Sequence, residues 1–466
     1  MKDGSLLLLH LERMLQGLNV AGIPQVLEAY CDDVNLITEN LEDLPKIESS
    51  VTKFEAMSGA ILSRNHKCKI MGIGAWKNRD QWPLEYVKTD DEIKIFGIFF
   101  KNSYRSMVKK NWDYRYGKFM NSIRSWFSRS GLLLQARINI LKTFALSRVY
   151  YIASVLPLPK TTAKKFEGSI GNFIWKSSGW VLRVAQDELK NDPKKGGLNL
   201  VCLTSMAKSL LLSQFLRLLK GVYSKAVSHV GYWIGDSLAD LLANVGNGDH
   251  PNDIPEYFEI IESLVVEGRV DDIVTVNGWK QITNRKLYFE KRKLFPTPKV
   301  ETDEGISYKK TWSYLCSSVL QASSQETCFL LVHQKIPVKE RLFRIGLRNN
   351  PFCDVCPGDQ VCNFEHFFCS CSQVVNVWAW VRSKVLSLIG GDVTDQDLIK
   401  VQFPTTTKEN EIIWLLANYF EKAWSLISVK RLEVLKLEKF VGYLTFKYKV
   451  DRQGARPNFY LPWLEG

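Results

Sequence analysis

No stretch of the 466 residues approaches the eighteen or so apolar residues that a membrane-spanning helix needs, so a transmembrane reading is excluded. The opening SLLLLHLERML has an apolar core of only four leucines and breaks at His10, Glu12 and Arg13, too short for a secretory leader. Secretion is therefore not expected, and the place of action is intracellular, nuclear or cytoplasmic. Without an oxidising route the ten cysteines do not read as a disulfide framework, and five of them crowd between positions 353 and 371, which points to metal instead. Internal repeats are absent, which removes the solenoid classes. Acidic residues are scarce in one place: residues 101–200 hold 19 Lys plus Arg against 5 Asp plus Glu, enough to account for the whole formal net charge of +13. A surplus concentrated in one window predicts a polyanionic partner, because each neutralised phosphate releases condensed counterions. A merely solvated basic face is the competing reading.

What is present divides along the chain. Residues 1–100 read as α+β: apolar runs flank Tyr30-Cys31-Asp32-Asp33 as a hairpin, and Leu44, Ile47, Val51, Phe54 and Met57 make a helix that stops at Ser58-Gly59. The β-rich segments KCKIMGIG (67–74) and DEIKIFGIFF (91–100) are each interrupted by glycine. Three helical stripes follow, Trp112-Tyr116-Phe119-Ile123-Phe127, Leu134-Ile138-Leu141-Ala145-Val149 and Ala163-Phe166-Ile170-Phe173, with Pro157 and Pro159 between the last two. KNDPKKGGLNL (190–200) reads as a loop turning into an extended segment, residues 205–221 as a helix, and NGDHPNDIP and FPTPKVETDEG as linkers. Residues 307–348 read as helical, another helix spans roughly 410–440, and the tail DRQGARPNFYLPWLEG shows no periodicity.

Two constellations carry chemistry. Asp32 and Asp33, projecting from a hairpin tip, are a carboxylate pair of the kind that can hold Mg²⁺ for nucleotidyl transfer, though that reaction needs a further Asp from another strand; an acidic solvated turn is the alternative. In CDVCPGDQVCNFEHFFCSC, Cys353-x2-Cys356 places two thiolates on one turn and His366-x4-Cys371 returns two more donors, a complete tetrahedral set for Zn²⁺. Cys369 can replace Cys371 in that set, and Cys362 is surplus.

The order of these motifs resembles the C-terminal half of the reverse transcriptase of non-LTR, LINE-type retrotransposons, over most of the chain. AYCDDVNLIT is similar to the family's Tyr-x-Asp-Asp motif, with Cys31 where Ala is usual, and MSGAILSRNHKCKIMGIG resembles its Ser-Gly-x-x-Leu-Asn-x-x-Lys stretch, with Ser63 replacing Asn and Lys67 at the Lys position. KIFGIFF is similar to the primer grip, LLLQARINILKTFALSRVYYIASVLPLP to the thumb, FIWKSSG and DELKNDPKKGGLNL to the post-thumb segment, and the Cys/His stretch with Trp378 to the C-terminal zinc-binding region. The resemblance implies a partial palm over 1–104, a basic helical thumb over 105–180, a post-thumb region over 181–300, a helical connector over 301–350, a zinc-binding region over 351–390 and a C-terminal helical segment over 391–466. The expected fold class is thus an α+β partial palm followed by a mainly α-helical thumb and C-terminal region with a small zinc module.

On that resemblance Asp32, Asp33 and Lys67 are the catalytic candidates, and Tyr30, Phe96, Gly97, Lys109, Lys110 and Arg137 contact a template-primer of RNA and DNA. The family's fingers and its first metal-binding Asp have no counterpart in residues 1–29, where MKDGSLLLLHLERM does not resemble that strand and Asp3 is the only acidic residue before Glu12. The expectation is a palm truncated at its sheet edge and inactive alone unless a retrotransposon protein supplies the rest in trans. A non-catalytic nucleic-acid-binding protein that keeps the basic helices and the zinc region is the second expectation.

Overall fold

The structure is a computed structural model that describes residues 15, 18–20, 23–25, 27–30, 33–61, 64, 68–79, 81–82, 87–89, 92–129, 131–175, 184–218, 233, 254–267, 283–292, 295–428, 434–453 and 461–464. Helix predominates. Strands pair only two at a time among the described residues: β1 (Leu18–Val20) with β2 (Ile23–Gln25), β3 (Leu27–Tyr30) with β4 (Asp33–Leu36), β5 (Lys69–Ile70) with β6 (Val87–Lys88), and β7 (Ile93–Ile95) with β8 (Ile98–Phe100). The β5–β6 pair is parallel and the others are antiparallel. The expected partial palm is not shown by these ladders.

The chain forms two units by contact. The first gathers Met1–Asn121, Leu146–Phe166 and Leu203–Lys291; the second gathers Ser122–Ala145, Glu167–Cys202 and Arg292–Gly466.

In the first unit, α1 (Asp43–Ser58) follows β4 and closes on Gly59, which takes a left-handed φ of 73° and donates its amide to Glu55 O, the glycine stop expected from the sequence. Leu44 and Ile47 pack with Leu15, and Leu36, Leu41, Val51, Ile70 and Trp82 lie around them. Arg64 fastens the following loop to α1 through two bonds to Glu55, at 2.8 and 2.7 Å, and one to Glu48 at 2.6 Å. α2 (Tyr104–Phe127) is the first basic stripe made real: Trp112 and Phe119 are fully buried, both meet Phe166 edge to face, and the Trp112 indole donates to Pro157 O at 2.8 Å.

The second predicted stripe is not one regular helix. α3 (Leu134–Ile140) runs into a π-helical segment, Leu141–Leu146, and then α4 (Ser147–Ala153). The wider turn adds a residue without moving Leu141, Ala145 and Val149 out of the core, which is why the stripe reads as continuous. The third stripe is α5 (Lys160–Trp175). Segment 190–200 is preceded by α6 (Gln186–Leu189), and it runs through a 3₁₀ turn at Pro193–Lys195 to extended backbone in which the Leu198 and Leu200 amides both donate to Leu189 O. A separate apolar cluster of the first unit joins α7 (Leu203–Arg217), α8 (Glu256–Glu267) and α9 (Asn284–Arg292) through Leu211, Phe215, Ile261, Leu264 and Leu287. The proposed linker NGDHPNDIP lies mostly outside the described residues.

In the second unit, the segment read as helical over 307–348 is three short helices: α10 (Lys309–Leu315), α11 (Ala322–Val332) and α12 (Lys339–Arg344). After the Cys/His stretch come α13 (Val375–Ile389), α14 (Glu409–Ser428) and α15 (Leu437–Gln453). The helix expected over 410–440 is therefore two, and the tail begins as helix. Its period was hidden by Asp451, which extends the buried stripe Phe440-Leu444-Tyr448 and accepts the Trp414 indole N–H at 2.9 Å. An aspartate in a core position is readable only with its partner in view.

Candidate metal centre and cationic face

The Cys/His stretch is built from a knuckle and a tight turn. Phe352 bridges Val361, the Cys353 amide donates to Gln360 O at 2.8 Å, and Gly358 and Asp359 reverse the chain with positive φ. This brings Cys353 and Cys356 to one side of a closed loop. The Cys362 amide donates to Pro351 O and its carbonyl accepts from Glu340 N, so that cysteine fastens the knuckle to α12. Lys339 pairs with Asp354 across the same junction.

His366 opens a π-helical turn, His366–Ser370, whose start is held by the Asn363 side chain accepting the His366 amide at 2.7 Å. Tyr419 of α14 donates its hydroxyl to Phe368 O, and Phe368 meets Phe420 edge to face, so the turn is seated on a core helix. Cys371 follows with extended backbone and its amide donates to His366 O at 2.8 Å. The result is a convergence in which one donor atom from each of Cys353, Cys356, His366 and Cys371 lies within 4.8 Å of the others.

The donor set fits a metal ion on three independent grounds. Cys371 Sγ stands 3.9 Å from Cys353 Sγ and 3.8 Å from Cys356 Sγ, and a tetrahedral ion with metal–sulfur bonds of about 2.3 Å sets its sulfurs about 3.8 Å apart. His366 Nε2 is buried without a hydrogen-bond partner while Nδ1 faces Ser370 Oγ at 3.4 Å, the division of labour expected when one ring nitrogen ligates and the other is oriented by a neighbour. Burial also lowers the His366 pKa, favouring the neutral imidazole that ligation requires. For Cys356 burial works against ionisation, but the Ser372 hydroxyl and amide, both 3.3 Å from its sulfur, outweigh it and draw the thiol below its ordinary value. Burial drives Cys371 the other way, upward. A bound cation is what lets such thiols ionise together. These four residues can hold a metal ion, and the set is compatible with Zn²⁺.

Of Cys369 and Cys371, the fold brings Cys371 into the four-donor group. Cys369 is buried, and burial, with the Asp395 and Glu365 carboxylates, raises its thiol pKa against a smaller lowering by Arg382; it stands outside the four-donor group. Trp378, on α13, donates its indole N–H to Asp395 Oδ2 at 3.1 Å and stacks on Phe420, so its part is to brace the helix behind the site.

The other predicted residues scatter. Asp32 and Lys67 lie outside the described residues. The antiparallel β3–β4 pairing read from the sequence is present, but Asp33 opens strand β4 opposite Tyr30 of β3 instead of belonging to the tip. Phe96 and Gly97 form the β7–β8 turn with φ of 48° and 80°; a bulky residue there is strained, and the turn is held by the Tyr151 hydroxyl donating to Phe96 O at 2.6 Å and Arg115 reaching Gly97 O at 3.4 Å. Lys109 is exposed. Lys110 pairs with Glu92 at 2.9 Å. Arg137 is partly buried and donates to Leu132 O at 2.9 Å and Ile174 O at 2.7 Å, a use that favours an internal tie over a phosphate contact.

Sequence reasoning missed a cationic face on the first unit. Lys94 lies 5.4 Å from the Phe99 ring centre and 5.7 Å from that of Tyr114; Lys110 lies 5.2 Å from Phe99; Arg115 and Lys118 lie 5.7 and 5.5 Å from Tyr114. Phe99 and Tyr114 meet edge to face at 5.2 Å. The signal was available as Lys110-Tyr114-Lys118, a four-residue spacing on the side of α2 away from the Trp112-Phe119 stripe. Its partners on β7 and β8 were not.

Neither the protein-family models nor the curated proteins compared with this chain give a match. Among the described residues no helix is long and apolar enough to cross a membrane.

Proposed function

We propose that this chain is a nucleic-acid-binding protein of the reverse-transcriptase lineage of non-LTR retrotransposons, in which the basic helical region grips a template-primer backbone and Cys353, Cys356, His366 and Cys371 hold a structural Zn²⁺. The lineage rests on the ordered motifs of the sequence. The binding rests on one observation, the four cations Lys94, Lys110, Arg115 and Lys118 collected around Phe99 and Tyr114. An aromatic ring positions a cation without cancelling its charge, so a cluster of cations over rings can act on phosphates. Glu92 pairs with Lys110 at 2.9 Å and with Lys101 at 3.8 Å beside this group. The module's four donors leave no coordination position for a substrate, which makes its role architectural. The test is the affinity for an RNA–DNA hybrid across salt concentration. Log affinity should fall linearly with log salt with a slope reflecting several phosphates, and a salt-independent affinity contradicts the reading.

A polymerase activity is the second reading, favoured by the β3–β4 hairpin that sets Asp33 opposite Tyr30. Mg²⁺ would then be held by Asp32 and Asp33 with a third carboxylate, and Lys67 would face nucleotide phosphate. Primer extension with Mg²⁺ or Mn²⁺, lost in Asp32→Ala/Asp33→Ala, would establish it over binding alone.

A further inference from the structure

Trp126 near the end of α2 and Phe144 in the π-helical segment stack on each other, ring centres 5.7 Å apart and planes 30° from parallel. Arg129 lies over the Trp126 ring at 4.4 Å, a short cation–ring separation for this chain. Phe144 is 49% exposed although its neighbours Leu141, Ala145 and Leu146 are fully buried. The π turn produces this difference: by widening the helix at 141–146 it keeps the apolar stripe inward and carries Phe144 outward onto Trp126.

Packing alone accounts poorly for this pair. Buried rings of the same unit pair both ways, Phe367 with Phe368 edge to face at 70° and Tyr314 with Phe403 near-parallel at 4°, so it is exposure that sets this pair apart. The Trp126–Phe144 stack is near-parallel and half in solvent. Its surroundings are cationic: Arg124 and Arg129 are exposed, Lys142 belongs to the π segment, and the sequence has no Asp or Glu between Asp113 and Glu167. A flat, exposed ring beside positive charge suits a flat ring on an anionic chain.

We propose that Phe144, braced by Trp126 and Arg129, is a stacking platform for an unpaired nucleobase of single-stranded nucleic acid. It rests on the nucleic-acid-binding reading and adds a contact with the base to contacts with the backbone. Stacking on an aromatic side chain tolerates any base, since every base offers a π face. An apolar peptide fits less well, because nothing in its chemistry uses the surrounding cations.

The experiment is fluorescence anisotropy of the full chain with oligothymidylate and oligouridylate of about 20 nucleotides, longer than a single-fold site, and with an abasic deoxyribose-phosphate strand of equal length. Phe144→Ala should weaken binding to the base-bearing strands roughly 5- to 100-fold. It should leave the abasic strand and the salt slope unchanged, and Phe144→Trp should restore binding, which separates stacking from misfolding. Thymidylate and uridylate arms affected alike assign the contact to the base; an effect on the uridylate alone restricts the platform to RNA. If Phe144→Ala keeps the wild-type ratio between base-bearing and abasic strands, the platform is overturned while backbone binding stands. If the wild-type chain binds no strand at any salt, the binding reading falls and the platform with it.

Discussion

The Cys/His module and the cationic face of α2 are both local clusters of chemistry-bearing side chains, yet they are arranged in opposite senses. In the module, donors from a knuckle and a π turn point at one another until four atoms share a space 4.8 Å across. On α2, charges are spread around two rings, 5.2 to 5.7 Å from their centres. Convergent donors define a single ion and tie segments together, so their worth is stability. Dispersed cations define a charge density, whose worth under the proposed function is affinity without sequence preference. A single change should therefore be all-or-none in the module and graded on α2.

Metal removal gives the largest effect and breaks the comparison if it fails. Purified protein should carry zinc, and Cys353→Ser/Cys356→Ser or a strong chelator should remove it and expose residues 351–374 to limited proteolysis. Structural zinc supplies about 10–16 kcal/mol in small zinc-finger peptides, far more than this knuckle's few backbone bonds can offer. Cys369→Ser should leave the zinc content unchanged, since that thiol stands outside the donor group. A metal-free chain with a protease-resistant module would refute the assignment.

Next is the support beneath the cationic face. Trp112→Ala removes a fully buried ring and its bond to Pro157 O, and should cost about 3–5 kcal/mol in a denaturant titration. The face depends on this buried stripe, so loss of nucleic-acid binding in that variant would accompany unfolding.

A smaller effect comes from a buried pair elsewhere in the second unit. His333 Nδ1 is 3.3 Å from Glu188 Oε2 and its Nε2 is 2.9 Å from Gly196 O, two oxygen acceptors on one ring. Burial alone would raise the Glu188 carboxyl, but the hydrogen bond and charge of His333, with the Lys299 amide, outweigh it and hold its pKa below the ordinary 4.5. A carboxyl depressed by folding contributes stability at pH above its unfolded value, lost as pH falls through the folded one. Thermal melts should drop below about pH 4.5, and Glu188→Gln should cost on the order of 2 kcal/mol near neutrality while flattening that acid limb. An unchanged acid limb in the variant would remove Glu188 as its source.

How much of this was legible depended on distance along the chain. The α2 stripe, the Gly59 stop, the glycine break in the 91–100 β segment and the Cys-x2-Cys knuckle all follow from neighbours a few residues apart, and the structure has each of them. Choosing Cys371 over Cys369 required the π turn, and both cysteines lie within reach by spacing alone. The π segment at 141–146 left no trace because it preserves the buried stripe. Glu188 and His333 are too far apart in sequence for any pattern, and Lys94 reaches Tyr114 only because a hairpin folds against a helix. The partial palm came from resemblance, and the described strands form pairs only.

The smallest expected effect tests the graded side of the comparison. Lys118 sits one helical turn beyond Tyr114 and 5.5 Å from its ring, at the end of the Lys110-Tyr114-Lys118 row. If it contributes charge to a polyanion, Lys118→Ala should weaken binding to every sequence by a similar few-fold factor and reduce the salt slope by about 1, without altering stability. Lys109 is the companion measurement, exposed on the same helix but one residue off that row. A change of slope in Lys118→Ala alone confines the contact to the Phe99–Tyr114 face. Equal changes in both extend the footprint around the helix, as expected of a chain that wraps it. No change in either leaves the ring-held cations as packing, and the source of any affinity must then be sought among other basic residues.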